Sequence, residues 1–181
     1  GFNVATFQAA LSAQGARPNL FEMTITPPSE AKTKATSTTL ASFSTMCKTA
    51  QIPGSTIGVV EVQYFGRPVK MPGNRTFENL TTTIINDEDW VLRQSLESWM
   101  AFLNKHQKNT SGVLGLNYTG TLTLQQYGKI GTAIAPGKYT FNKAWPVNVA
   151  PIDLDWGTND TIEEFTVEWA YDWWANTTAS K

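Results

Sequence analysis

The clearest periodic signal in the chain lies between Asn74 and Asn104, in NRTFENLTTTIINDEDWVLRQSLESWMAFLN. Leu80, Thr82 and Ile84 alternate there with Thr81, Thr83 and Ile85. A period of two predicts a strand, here one with both faces at least half apolar. The period then lengthens. Leu92, Leu96, Trp99 and Leu103 fall at i, i+4, i+7 and i+11, the stripe of an amphipathic helix expected over residues 87–104. Asn86 or Asp87 offers its start, with Asp87, Glu88 and Asp89 in a first turn whose free N–H groups favour anions. Arg93, Glu97 and Lys105 are expected on its outer side.

Alternation governs most of the remainder. Phe21, Met23 and Ile25 oppose Glu22, Thr24 and Thr26 until Pro27 and Pro28 end the strand. Phe43, Thr45 and Cys47 open a second strand that stops at Pro53-Gly54. In TIGVVEVQYFGRPVKMPG, Val60, Val62 and Tyr64 share one parity while Val69 and Met71 take the other, so a bulge or tight turn is expected near Gly66. Tyr118, Leu122 and Leu124 oppose Thr119, Thr121, Thr123 and Gln125. Tyr139 and Phe141 point inward on the returning strand, and PIDLDW is a further short strand. Last, Phe165, Val167, Trp169, Tyr171 and Trp173 oppose Glu164, Glu168 and Asp172. Residues 1–15 form a short helical segment capped by Asn3 and stopped by Gly15, and the small, polar stretch 29–42 is an exposed loop.

About seven or eight strands with one strong helix predict a mainly β chain: two packed antiparallel β-sheets, sandwich or barrel-like, with one flanking α-helix. The 181 residues fit a single domain, 1–181. Charged residues make up 16% of the chain, and the net charge is −1. So little charge leaves neutral surface of the kind that self-associating proteins bury, and no basic excess holds a nucleic-acid backbone. No apolar run approaches the ~20 residues of a membrane-spanning helix, so no membrane insertion is expected. The N-terminal residues lack the pattern of a secretory signal.

Candidate chemistry is sparse. Cys47 is the one cysteine and His106 the one histidine, which excludes an internal disulfide, a multi-cysteine zinc site and a two-histidine metal site; His106 lies in the polar post-helical segment NKHQKN, so a histidine-based triad is not expected. Asp153, Asp155, Glu163 and Glu164 suggest paired carboxylates, as in a glycosidase. However, Asp153 and Asp155 lead into a turn, where such residues hydrogen-bond backbone. No phosphate-binding glycine loop or cofactor motif is present. Expected catalytic residues, metal ligands and cofactors are therefore none, and function falls to surface shape and self-assembly. A tryptophan-rich carbohydrate-binding module is the remaining alternative.

ARPNLFEM, CKTAQIPG, PGNRTFENLTTTIINDED, WPVNV and IDLDWGTNDTIEEFTVEWAYDWW occur in the order found in tail tube proteins of contractile-tailed bacteriophages, over about Ala16 to Trp174. What this resemblance implies is a homo-hexameric ring that stacks into a hollow tube within the tail sheath. It also implies a baseplate tube initiator and a tail terminator at the ends, and viral DNA passing through without tight binding. The place is the virion tail, assembled in the host cytoplasm; the alternative within the same architecture is the tube protein of a related contractile injection or secretion machine, or a baseplate tube initiator.

In such a ring each subunit gives about four strands to an inner barrel of about two dozen. With strands ~4.8 Å apart and tilted ~40°, its backbone diameter is roughly 48 Å, wider than duplex DNA. A conduit wall should be short-chained and neutral or negative. Thr119, Thr121, Thr123 and Gln125 fit, as do Glu61 and Gln63. The arm 52–73 resembles the segment through which subunits touch, with Ile57, Val59 and Met71 as contacts. Lysine is a common guard on open strand edges, so its scarcity fits edges completed by other subunits.

Overall fold

The computed structural model describes residues 3–11, 15–28, 42–108 and 118–176. Helix α1 (Val4–Ala10) starts where Asn3 Oδ1 accepts the Ala5 N–H at 3.0 Å, and it buries no side chain. The strands are β1 (Phe21–Thr26), β2 (Cys47–Thr49), β3 (Thr56–Tyr64), β4 (Arg67–Thr76), β5 (Leu80–Ile85), β6 (Gly120–Tyr127), β7 (Ala133–Val149), β8 (Glu164–Ala170) and β9 (Trp173–Asn176). A single turn, α2 (Phe43–Met46), precedes β2, and α3 (Val91–Leu103) follows β5. Of the expected loop 29–42, residues 29–41 lie outside the described residues.

The main sheet runs β1-β6-β7-β8-β5-β2, with β9 also on β7, and its described pairings are all antiparallel. β7 is the hinge of this arrangement. Its first part pairs with β6 and β9, and its last part, Trp145 to Val149, pairs with β8. Between them Lys143 has φ +55°, at a bulge opposite the Gly120–Leu122 stretch of β6. A bulge residue bends and twists its strand, so one strand belongs to two packed layers. The mainly β, two-layered expectation is met.

Alternation supplies the core between the layers. Met23, Ile25, Leu122, Leu124 and Phe141 face Leu80, Ile84, Phe165, Val167 and Trp169, all buried. The α3 stripe closes the flank: Leu92, Leu96 and Trp99 are buried and Leu103 is half-buried. Trp99 meets Trp169 at 5.9 Å between ring centroids, and its indole N–H donates to the Tyr118 carbonyl at 3.0 Å. Trp169 is fully enclosed, and its indole N–H is satisfied by Thr82 Oγ1 at 3.0 Å.

Several expectations change. The helix begins at Val91 rather than at residue 87, because a turn closed by the Trp90 N–H on the Asp87 carbonyl (3.1 Å) uses the acidic residues first. Phe43 to Met46 is a helical turn, since the Ser42 carbonyl accepts the N–H of both Thr45 and Met46. PIDLDW is not a strand. The ladder's last bond is Ala150 N–H to Thr166 O at 2.8 Å, and Pro151 has no N–H to continue it. Arg93 is not outward: its guanidinium lies 5.2 Å from the Phe165 ring and donates to the Ala150 carbonyl at 3.0 Å. Trp173 is 45% exposed, because β8 ends at Ala170 and the chain crosses to the other layer before β9.

Gly120 stands where layers and helix meet most closely. A Cβ there would lie 2.5 Å from the Thr26 carbonyl oxygen and 2.7 Å from Trp99 Cη2. Gly120→Ala is therefore expected to lower unfolding free energy by about 1–3 kcal/mol through overpacking, read as an earlier urea midpoint.

Candidate functional site

Among the described residues no three His, Cys, Asp or Glu side chains are grouped as metal donors. His106 is exposed. Asp155 Oδ1 accepts the Gly157 N–H at 2.9 Å, an ordinary turn bond, and Asp153 is exposed beside it. Glu164, Glu168 and Asp172 are each engaged, by Lys48, Asn79 and Lys143.

Two surfaces stand out instead. The first is the face of β1, β6 and β7 turned away from the core. Register aligns Thr24 with Thr123 and Thr140, Thr26 with Thr121, and Glu22 with Gln125 and Lys138. Thr121, Thr123 and Gln125 thus belong to a broad wall of short polar side chains. Thr119 lies just before β6. Gln125 Nε2 donates to the Ile134 carbonyl at 2.9 Å, which ties it down. The Tyr127 hydroxyl donates to Glu22, a bond that holds the phenol above its usual pKa. Thr24, Thr26 and Thr140 were visible in their own strands' alternation, but only the pairing puts them in one wall. Glu61 and Gln63 are not part of it; they lie on β3, in a separate sheet.

The second surface is the β3–β4 hairpin. Tyr64 pairs with Arg67 across a turn in which Phe65 and Gly66 have φ +44° and +78°, the left-handed pair that suits a two-residue hairpin. The strands pair with each other and are exposed almost throughout, with Gly73 and the neighbouring Phe77 half-buried at the base. The register brings both sequence parities together. Val60 opposes Met71, Val62 opposes Val69 and Tyr64 opposes Arg67, giving one apolar face, while Glu61 opposes Lys70 on the other. Of the expected contacts, Met71 lies on the apolar face. Val59, opposite Pro72, shares the face of Glu61, and Ile57 lies beyond a bulge near the base. Val60, Val62 and Val69 join Met71 on that face, which the parity along either strand alone did not reveal because it says nothing about the partner strand.

With these surfaces defined, similarity to known proteins becomes informative. The family model described as "Phage tail tube protein" matches residues 16–177. The chain belongs to the phage tail tube protein family. It is 27% identical over 163 residues to the tail tube protein gp19 of Enterobacteria phage T4, covering 90% of this chain and 93% of that one. It is 26% identical over 170 residues to the tail tube protein of Serratia phage KSP90, covering 93% of each. Its fold resembles a chain in the sheath-tube complex of an extracellular contractile injection system, PVC, in the extended state. That match has a TM-score of 0.59, 13% identity and 97% coverage of both chains. As a tail tube protomer the chain works by building a structure.

Cys47 fits that role as an inert packing residue. Burial pushes its thiol from 9.0 up to about 12, and Sγ donates to the Thr49 carbonyl at 3.4 Å. The native thiol should resist a thiol reagent at pH 8 and react on unfolding. The raised folded value also sets a sign: the folded state holds a proton that the unfolded thiol releases. This contribution to stability is full below about pH 9 and is lost as pH rises toward about 12. Cys47→Ala should flatten that alkaline decline in denaturation midpoints.

Proposed function

We propose that six copies close into a ring and that rings stack into the hollow tube through which viral DNA leaves the virion. The tail sheath lies outside, with a baseplate initiator and a terminator at the ends, and assembly takes place in the host cytoplasm. The observation that carries this reading is the arm. A two-stranded hairpin alone is marginal in water, yet here Val60, Val62, Val69 and Met71 are 50%, 46%, 43% and 50% exposed. A tail tube protomer that presents such a face finds its cover on other copies.

The β1-β6-β7 wall is the proposed bore. Thr119, Thr121, Thr123 and Gln125 line it together with Thr24 and Thr140. Glu22 and Lys138 offset one another in the Gln125 row. Threonine hydroxyls offer DNA neither a cation to bind nor apolar surface on which to stall, so the duplex slides past. Glu61 and Gln63 reach the bore only where the arm does. Ile57, Val59 and Met71 belong to the contacts between subunits, joined by Val60, Val62 and Val69. No step needs a catalyst or a cofactor.

Val62→Asp is expected to leave a subunit with wild-type circular dichroism but to abolish tubes in negative-stain images. Normal tubes from that variant would remove the arm from the interface. A helical reconstruction of the tube should place Thr121, Thr123 and Gln125 in the bore.

A further inference from the structure

β5 and β8 form one ladder, from Leu80–Trp169 at one end to Ile85–Glu164 at the other. With six residues in β5, the ends are roughly 17 Å apart. The arm is rooted at the first end. Phe77, just past β4, lies against Tyr171 and Trp174, and the Trp174 indole N–H donates to the Gly54 carbonyl at 3.3 Å. At the second end residues 86–89 leave β5 and residues 151–163 enter β8. These segments are tied by Asn86 N–H to Glu163 O at 2.9 Å and by Asn86 Nδ2 to Glu163 Oε2 at 3.0 Å.

The hairpin and segment 151–163 are opposite in net charge, although Lys48 pairs with Glu164 where that segment enters β8, and both leave apolar side chains uncovered. The β3–β4 hairpin of the arm carries Arg67, Lys70 and Arg75 against Glu61, which lies 3.7 Å from Lys70, so a net positive charge remains. Segment 151–163 carries Asp153, Asp155, Asp160 and Glu163 and no basic residue, with Asp87, Glu88 and Asp89 on the adjoining turn. Within it Leu154 is 83% exposed, Ile162 67% and Trp156 completely. A bare tryptophan among carboxylates suits a partner that brings apolar surface and cations together, and the arm has both.

The geometry points to a head-to-tail contact in which the arm of one copy seats on segment 151–163 of the next. This rests on the reading of the arm as an element between subunits. Arm and segment start from opposite ends of one ladder, and their charges select between orientations. Arm against arm brings cations together, and segment against segment brings carboxylates together; only head-to-tail pairing is complementary. A contact between two different patches leaves each copy with one of each still free, so it propagates.

Two reversals test this: Arg67→Glu with Lys70→Glu and Arg75→Glu, and Asp153→Lys with Asp155→Lys and Asp160→Lys. Each set alone should raise the concentration needed for tube formation about ten-fold or more, and both sets in one chain should restore it to near wild type. One-sided variants that assemble normally, or a combined chain no better than either, would overturn the contact. The arm reading stands or falls separately, on Val62→Asp. Should a reversed chain fail to fold, wild-type tubes decide by carbodiimide cross-linking and peptide mass spectrometry. Besides a link to Glu61 of its own hairpin, Lys70 is expected joined to an acid of segment 151–163 in another copy; Lys70 cross-links made only elsewhere, Glu61 included, would overturn the contact.

Discussion

A β-strand has two hydrogen-bonding edges, and β7 fills both while changing layers. Its first part holds β6 and β9, and past the left-handed bulge at Lys143 its last part holds β8. Without that bend the apolar faces of β6 and β8 would continue as one flat sheet. With it they turn toward each other and enclose Phe141, Val167 and Trp169. Everything outside follows. The polar face of β1, β6 and β7 must point away from that core, and the β5–β8 ladder must present its two ends to different surroundings.

The same closure explains what remains open. The core uses the inner faces of both layers and the stripe of α3, leaving no shared apolar surface for the β3–β4 hairpin to join. The hairpin therefore stands as a ribbon, regular in register beyond the bulge at its base yet uncovered on its apolar face. In a monomeric protein such surface is a hazard. In a tail tube protomer it suits the role proposed for the arm, and the low charged fraction of the chain, 16%, fits a surface covered by other copies.

Of the carboxylates that suggested a paired acid-base site, Asp155 is held in a turn bond, Glu163 accepts from the Asn86 amide and Glu164 pairs with Lys48. Cys47 is held protonated by its burial. The polar groups at Thr82 and Trp169 satisfy each other inside the core. Side chains of this kind hold a shape; a tail tube needs little else of its subunits.

Periodicity along the chain determined what depends on neighbours within a few residues. This covers the inward sets on β1, β5, β6 and β8, the α3 stripe through Trp99, and the Asn3 cap. Those patterns arise because a strand or helix shows its faces at a fixed repeat, whatever it later packs against. Element boundaries were less legible, since Pro151 and the turn at Asp87 act through single hydrogen bonds made or missing. Register was not legible at all. That Thr24, Thr123 and Thr140 form one wall, that Val62 and Val69 share a face, and that Arg93 turns inward each depend on partners distant in sequence. The tertiary structure decided them, because which strands become neighbours is set by closing the whole core rather than by any one segment.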